Sequence, residues 1–599
     1  MRRRTSILLA VAMVLAVHAW LLAIGVNPLR NGGAWDQLWD PDSYTRLSRV
    51  LELVRSGGWY DPTFHGANHP DGFALHWSRL LDALLIGPAW IGSAVAPFPS
   101  ALFAWGIALA PLLQVAAVLF LGWSTRRLLG PGGFLLLAAF LVSQRGVTYD
   151  FLPGIIDHHS LQVFLLLVAM GLLSRPEGGD AEAAVAGAAV ALAVWASVES
   201  VVIAGALGLG VGLDWLASGE RRAAQRLRTF GVAATLVAAV LLPLERPFRS
   251  LLAPSFERFS IVQVGVLAVV GAVGAAALAA RGRLVRGPWG RALVGALAGA
   301  VAGGALLSIF PSLLSNPYQA TSALVQTRLL GAIAAERRFL PTDAYSTYDF
   351  VLELGPALAV VAWGLLRLAR GKPDPEERRR LLLGCGATAL FIAYAIYAYR
   401  GIPFVSAACA LGWTEAMVRL WRWARAEATV GWERARRLAL AFSGTAGHWG
   451  LAAIVALAWV PTFAWRNVPE CRWDLLAAAV PELTDARHPG TVLTDVFSGP
   501  EVHFRTGRPV IGSPYHGNGD GVAAGLRLFE AAPETTRAEL ERREVAWIAI
   551  CGARLKETAS TPWGLGTRLT MGLPPAGFTR IPLPAELDRQ FLLHARTAR

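Results

Sequence analysis

The sequence predicts a polytopic α-helical membrane protein of about thirteen transmembrane helices with a C-terminal external α/β domain. Three observations predict it. The 599 residues are 54% hydrophobic and 16% charged, against about 25% charged in soluble domains. Apolar runs of roughly 17–25 residues, each long enough for a bilayer core of ~30 Å, recur from Thr5 to Trp465. Beyond Trp465 the composition turns to Pro, Gly and charge with short β-like runs.

The first run follows Met1-Arg2-Arg3-Arg4 and continues to about Ile24. No small-residue cleavage site follows it, so it reads as an uncleaved helix with a cytoplasmic N-terminus. The spans fall near 5–25, 101–123, 131–147, 158–174, 182–198, 199–217, 229–245, 260–280, 292–310, 348–370, 381–399, 402–420 and 443–466. Alternation then puts Arg126-Arg127, Arg221 to Arg228, Arg281 to Arg291, Lys372 to Arg380 and Arg419 to Arg437 in cytoplasmic loops, as the positive-inside bias requires. That bias accounts for the net charge of +13 without a nucleic-acid partner. Residues 79–97 are apolar but hold Asp82 and Pro88. A span there would turn every later Arg cluster outward, so they belong to a large first external loop, 26–100, on the membrane surface. Arg246, Arg249 and Arg258 fall outside, against the trend.

Residues 1–466 thus form a transmembrane domain with a second long external loop at 311–347, and 467–599 a soluble domain on the periplasmic side of a bacterial inner membrane. In that domain Thr491-Val492-Leu493, a helical stretch after His516, and Val545 to Ile550 give the strand, helix, strand order of a small α/β fold. Cys471 and Cys551 both lie there. An oxidising compartment permits a bridge, which is favoured over two buried thiols and requires Cα atoms within about 7 Å.

One side of the bilayer collects the residues with chemistry. Trp39-Asp40-Pro41-Asp42-Ser43-Tyr44 follows span one, Asp157-His158-His159 precedes span four, Glu336 lies in the second long loop, and Arg400 ends span eleven. Carboxylates from separate loops can converge on a hard divalent cation, Mg²⁺ or Mn²⁺. The cation neutralises a phosphate leaving group while a carboxylate activates the nucleophile, and the Arg fork suits the phosphate. Each residue also has a plain structural reading. Asp-Pro-Asp makes turns, Asp157 is a good helix N-cap, Glu336 has Arg337-Arg338 for ion pairing, and Arg400 can snorkel. His65, His69 and His76 read as structural. Trp77-Ser78-Arg79 reads as a substrate groove or an aromatic interface belt.

At these residues the chain resembles the GT-C superfamily of membrane glycosyltransferases, and within it the single-subunit oligosaccharyltransferase catalytic subunit. Asp42-Ser43-Tyr44 matches the family's first-loop motif of an acidic residue, a small residue and Tyr. The resemblance makes Asp42 the acceptor-activating carboxylate and a metal ligand. Asp157-His158-His159 matches the acidic-x-acidic second motif at its first position only, with His159 where a carboxylate is expected. Glu336 stands where the family has a metal-binding Glu, and Arg400 where it has a phosphate-binding Arg. The resemblance implies Asp42, Asp157 and Glu336 as catalytic residues and metal ligands, with Arg400, Tyr44 and His159 contacting substrate; Arg79 joins the substrate contacts from the groove reading of Trp77-Ser78-Arg79. The family's Trp-Trp-Asp-Tyr-Gly acceptor motif is replaced by Thr494-Asp495-Val496-Phe497-Ser498-Gly499, which removes support for sequon reading.

The expected function is inverting transfer of a sugar or oligosaccharide from a polyprenyl phosphate or pyrophosphate carrier to a lipid, glycan or protein acceptor on the external face. A protein oligosaccharyltransferase with atypical acceptor recognition is the alternative enzyme. A transporter or lipid-linked glycan flippase is the alternative of another class. It would place polar or broken helices at the bilayer midplane, where Glu199 and Glu415 are the possible candidates.

Overall fold

A computed structural model describes residues 3–23, 38–282, 285–315, 322–331, 333, 338–342, 344–371, 373–426, 431–445, 447 and 471–597. Glu336 and most of the predicted last span lie outside the described residues.

Each of the first twelve predicted spans coincides with a helix. They are α1 (Arg3–Ala23), α4 (Phe98–Ser124), α5 (Pro131–Ser143), α7 (His158–Leu173), α8 (Asp180–Ala196), α9 (Val201–Ser218), α10 (Arg221–Glu245), α11 (Ile261–Ala279) and α12 (Pro288–Ile309), then α13 (Ala344–Arg370), α14 (Pro375–Tyr397) and α15 (Ile402–Ala424). The first-loop helices α2 (Pro41–Ser56) and α3 (Leu80–Gly92) and the short α6 (Arg145–Asp150) lie between them. Among the described residues nine helices are long and apolar enough to cross a membrane: this is a membrane protein. The helices overrun the predicted spans at their basic ends, as at Arg221 and Pro375, because hydropathy marks only the lipid-facing part of a helix that continues into the interface. Small residues let backbones approach. A Cβ on Gly231 of α10 would sit 2.4 Å from the Gly271 nitrogen of α11, and one on Gly187 of α8 would sit 2.3 Å from the Phe230 carbonyl.

The 79–97 stretch forms helix α3 (Leu80–Gly92). Helix α3 has 13 residues, about 20 Å of helix, and buries Leu81, Asp82, Leu85 and Ala89 while Trp90 and Ile91 stay exposed. Asp82 explains why this helix turns inward. It is fully buried and takes Arg46 at 2.9 Å, Arg49 at 3.3 Å and Arg79 at 3.0 Å, with the Arg46 guanidinium 4.0 Å above the Trp77 ring. Arg258 is answered in the same region by buried Glu245 at 2.7 Å. Glu245 also accepts the Arg79 backbone amide at 2.9 Å and the Trp195 indole at 3.1 Å.

In the C-terminal part β3 (Thr491–Leu493), β4 (Val545–Cys551), β5 (Phe578–Arg580) and β6 (Phe591–Arg596) form one sheet in the order β3-β4-β6-β5. β3 runs parallel to β4, and the other pairs are antiparallel. The parallel pair needs a long crossover, supplied by α16 (Gly499–Thr506), α17 (Gly519–Glu530) and α18 (Pro533–Arg542). Cys471 and Cys551 are bridged, with Cα atoms 5.8 Å apart.

The first loop folds onto this domain. Its short hairpin, β1 (Thr63–Phe64) with β2 (Phe73–Ala74), buries Phe64, Phe73 and Trp77 in one cluster with Val492, Trp547 and Phe591. Val510 pairs with both Ala67 and Val492. The chain at Val510 and Ala67 thereby covers the otherwise open β3 edge.

Candidate active site

Two short segments meet where the bundle faces the C-terminal domain. Asp40 caps α2, accepting the Ser43 amide at 2.7 Å with Pro41 at the first helical position. Asp157 caps α7 through the His158 amide at 2.6 Å. The Ser43 hydroxyl accepts the Ile156 amide at 2.8 Å. One bond therefore ties the residue after Asp42 to the residue before Asp157, which explains a small hydroxyl residue at that place in the motif. The Trp39 indole donates to the Pro153 carbonyl at 2.9 Å and reinforces the join.

These elements open into a cavity of about 880 Å³ whose wall includes Asp42, His158, His159, Glu199, Arg400 and Tyr515. Asp157 contacts His158 at 2.5 Å and His159 at 3.5 Å, and ligand atoms of all three lie within 4.8 Å of one another. Arg400, in the turn between α14 and α15, is ion-paired with Glu199, in the turn between α8 and α9. Arg338 of the second long loop also borders the cavity.

Electrostatics single out the carboxylates. Burial, then the charges of Asp42 and Asp157, push the Asp40 carboxyl up to about 7. Burial, then the charge of Asp157, push Asp42 up to about 6, although the Tyr515 hydroxyl and His159 favour its charged form. Buried acids that repel one another fit a cation between them. Asp157 and the two imidazoles form a mixed oxygen and nitrogen donor set, which Zn²⁺, or Mn²⁺ among the harder ions, accepts more readily than Mg²⁺.

Of the residues expected from sequence, Asp42, Asp157, His159 and Arg400 come together. Glu336 falls outside the described residues. Two assignments are corrected. Tyr44 is 4% exposed and turns away from the cavity to Glu501 of α16, donating to its carboxylate at 2.9 Å while its ring packs on Phe504. Arg79 is 2% exposed and is held by Asp82 and by the Trp59 carbonyl at 2.8 Å. Tyr44 is drawn off because α16 of the C-terminal domain packs on α2, and Arg79 because Asp82, first-loop carbonyls and Glu245 of α10 take up its polar groups. Tyr515 is the contact that sequence reasoning missed: its hydroxyl donates to Asp42 Oδ1 at 2.7 Å across 473 residues. Nothing in Ser513-Pro514-Tyr515-His516 signals it. Glu415, raised as a possible midplane charge, instead pairs with Arg419 at 2.9 Å and Arg380 at 3.5 Å, near the end of α14 opposite Arg400.

No protein-family model matches the chain. A dolichyl-phosphooligosaccharide-protein glycotransferase of Archaeoglobus fulgidus is 30% identical over 137 residues, and the match spans 22% of each chain. Among solved structures, the archaeal oligosaccharyltransferase of Archaeoglobus fulgidus, in complex with an inhibitory peptide and a dolichol-phosphate, superposes with a TM-score of 0.69 at 15% identity, covering 94% of this chain and 72% of that one. The A. fulgidus oligosaccharyltransferase in complex with Zn and sulfate gives a TM-score of 0.63 at 16% identity over 92% of this chain and 70% of that one. Identity this low speaks for the fold alone. The chain has the GT-C membrane fold, in a form that resembles the archaeal oligosaccharyltransferase.

Proposed function

We propose that this protein is an inverting membrane glycosyltransferase that moves a sugar or oligosaccharide from a polyprenyl phosphate or pyrophosphate carrier to an acceptor hydroxyl or amide. The observation that carries the reading is one cavity joining Asp42, the Asp157–His159 pair and the Arg400–Glu199 pair. The solved neighbour bound to dolichol-phosphate supports a carrier of that class. The cavity lies beside the C-terminal domain, on the side the basic-loop bias reads as periplasmic. Membrane lipid surrounds the spans.

Asp42, Asp157 and His159 would hold a divalent cation, with Glu336 as a candidate fourth ligand. The bound cation supplies neutralisation of charge on the phosphate leaving group. Asp42 orients the acceptor and takes up its proton as the bond to the anomeric carbon forms. Arg400 grips a phosphate oxygen in competition with Glu199. The wall of buried Trp77 and Tyr515 with half-buried His516 keeps bulk water from replacing the acceptor.

Asp495, in the stretch that replaces the family's acceptor motif, accepts the Phe497 and Ser498 amides and so closes the turn that leads into α16. That use leaves an acceptor other than the sequon as the favoured one. A protein acceptor remains the second reading, since a solved neighbour carries an acceptor peptide with an NVT sequon. The test is incubation of the purified protein with undecaprenyl- or dolichyl-linked saccharides and native membrane extract. Metal-dependent release of free polyprenyl (pyro)phosphate is expected, and its absence with every carrier sinks the proposal.

A further inference from the structure

We infer that Tyr515 is the positioning residue for Asp42: a phenol supplied by the C-terminal domain sets the carboxylate contributed by the first loop of the membrane domain. The inference rests on the assignment of Asp42 made above. Three features carry it.

The first is the bond. The hydroxyl lies 2.7 Å from Asp42 Oδ1, the length of a charge-assisted hydrogen bond to a carboxylate. The second is that the phenol is held rigidly. Tyr515 is 4% exposed. Its ring stacks on Phe73 at 5.8 Å and 19°, and meets Trp77 edge-on at 5.3 Å and 85°. Its amide donates to the Ser513 carbonyl at 2.8 Å, and its carbonyl accepts the Asn518 amide at 2.9 Å. The Asn518 side chain closes the loop onto Ser513 at 2.9 and 3.1 Å. The third is that Asp42 needs such a partner. The backbone of α2 is fixed by its cap, but the terminal torsion of a carboxylate is broad. A single fixed donor commits Oδ1 and leaves Oδ2 as the oxygen for cation or acceptor. Hydrogen-bond partners that orient metal-ligating carboxylates are worth about 10–100-fold in metal affinity or activity.

The test is Mn²⁺ binding to the purified full-length protein, followed by electron paramagnetic resonance, for wild type, Tyr515→Phe, Asp42→Asn and the double variant. Tyr515→Phe removes one oxygen and keeps the ring cluster. It is expected to weaken Mn²⁺ binding about 10–100-fold without moving the thermal midpoint. Asp42→Asn is expected to weaken binding at least as much, and the double variant no more than Asp42→Asn alone, because one interaction cannot be lost twice. If Asp42→Asn weakens binding while Tyr515→Phe stays within twofold of wild type, the positioning role is overturned and the active site stands. Additive losses in the double variant also overturn it. If the wild type does not bind Mn²⁺, or Asp42→Asn binds as well as wild type, the metal assignment of Asp42 fails and takes this inference with it.

Discussion

Arg400 and Glu199, 201 residues apart in sequence, form an ion pair in the cavity wall, each in a tight turn between two helices. A guanidinium held by a carboxylate is preset for exchange, since an incoming phosphate offers the same planar, two-oxygen partner. Arg400→Ala is expected to weaken binding of a polyprenyl phosphate by about 10–100-fold, and Arg400→Lys to restore it only in part because a point charge lacks the fork. Direct titration with the short-chain lipid phosphate decides this. An Ala variant that binds as wild type returns Arg400 to a structural pairing.

Asp42→Asn keeps the shape of the site and removes its charge. Turnover is expected to fall by on the order of 10²–10⁴-fold while donor affinity, measured at metal concentrations that saturate the variant, changes little, because a group acting on the acceptor contributes to chemistry rather than grip. Equal losses in both would place Asp42 on the donor instead.

His159 supplies one of the two imidazole nitrogens in the donor set beside Asp157. His159→Asp replaces it with oxygen, and the metal preference is expected to move from Zn²⁺ or Mn²⁺ toward Mg²⁺. Calorimetric titration of both proteins with each ion reads the change. An unaltered order of affinities removes His159 from the ligand set.

Glu501 links α16 to α2, and burial pushes its carboxyl up to about 7 from an ordinary 4.5. A carboxyl raised in the folded state favours folding most below its unfolded value and loses that contribution as pH climbs through 4.5 to about 7. The thermal midpoint of the wild type is therefore expected to drop between pH 5 and pH 8 by more than that of Glu501→Gln, by on the order of 2–4 °C. Parallel melting curves at the two pH values would contradict the assignment.

The Cys471–Cys551 bridge joins the start of the C-terminal domain to the end of its central strand across 80 residues. Replacing both with Ser is expected to cost about 2–4 kcal/mol, visible as a lower denaturant midpoint. Reductant should shift the wild type to the same value and leave the variant unmoved.

Much of this arrangement was readable from the chain. Helix positions follow from apolar length, and Asp82, the one acid in the apolar 79–97 stretch, is the buried centre of three arginines. Asp42, Asp157, His159 and Arg400 announced themselves as polar residues at helix ends on one side of the bundle. Tyr44 and Arg79 misled because they sit one or two positions from residues that do face the cavity. The direction of a side chain on α2, or just ahead of α3, depends on what covers those helices. α2 is covered by α16 of the C-terminal domain and Arg79 is anchored to Glu245 of α10, and the sequence carries no local sign of either contact. Tyr515 was invisible for the same reason.

The charge knot around Asp82 bears on the order in which the protein can be built. Arg79 meets Asp82 three residues away, and Arg46 meets it from 36 residues earlier, so α2 can be packed as soon as α3 has been synthesised. The Arg79 amide finds Glu245 only 166 residues later, when α10 is complete. Asp42 meets its phenol after a further wait, across 473 residues. Chains emerge and fold from the N-terminus, so the first loop acquires its charge balance early, its anchor to the helical bundle later, and the partner of its reactive carboxylate near the end of synthesis.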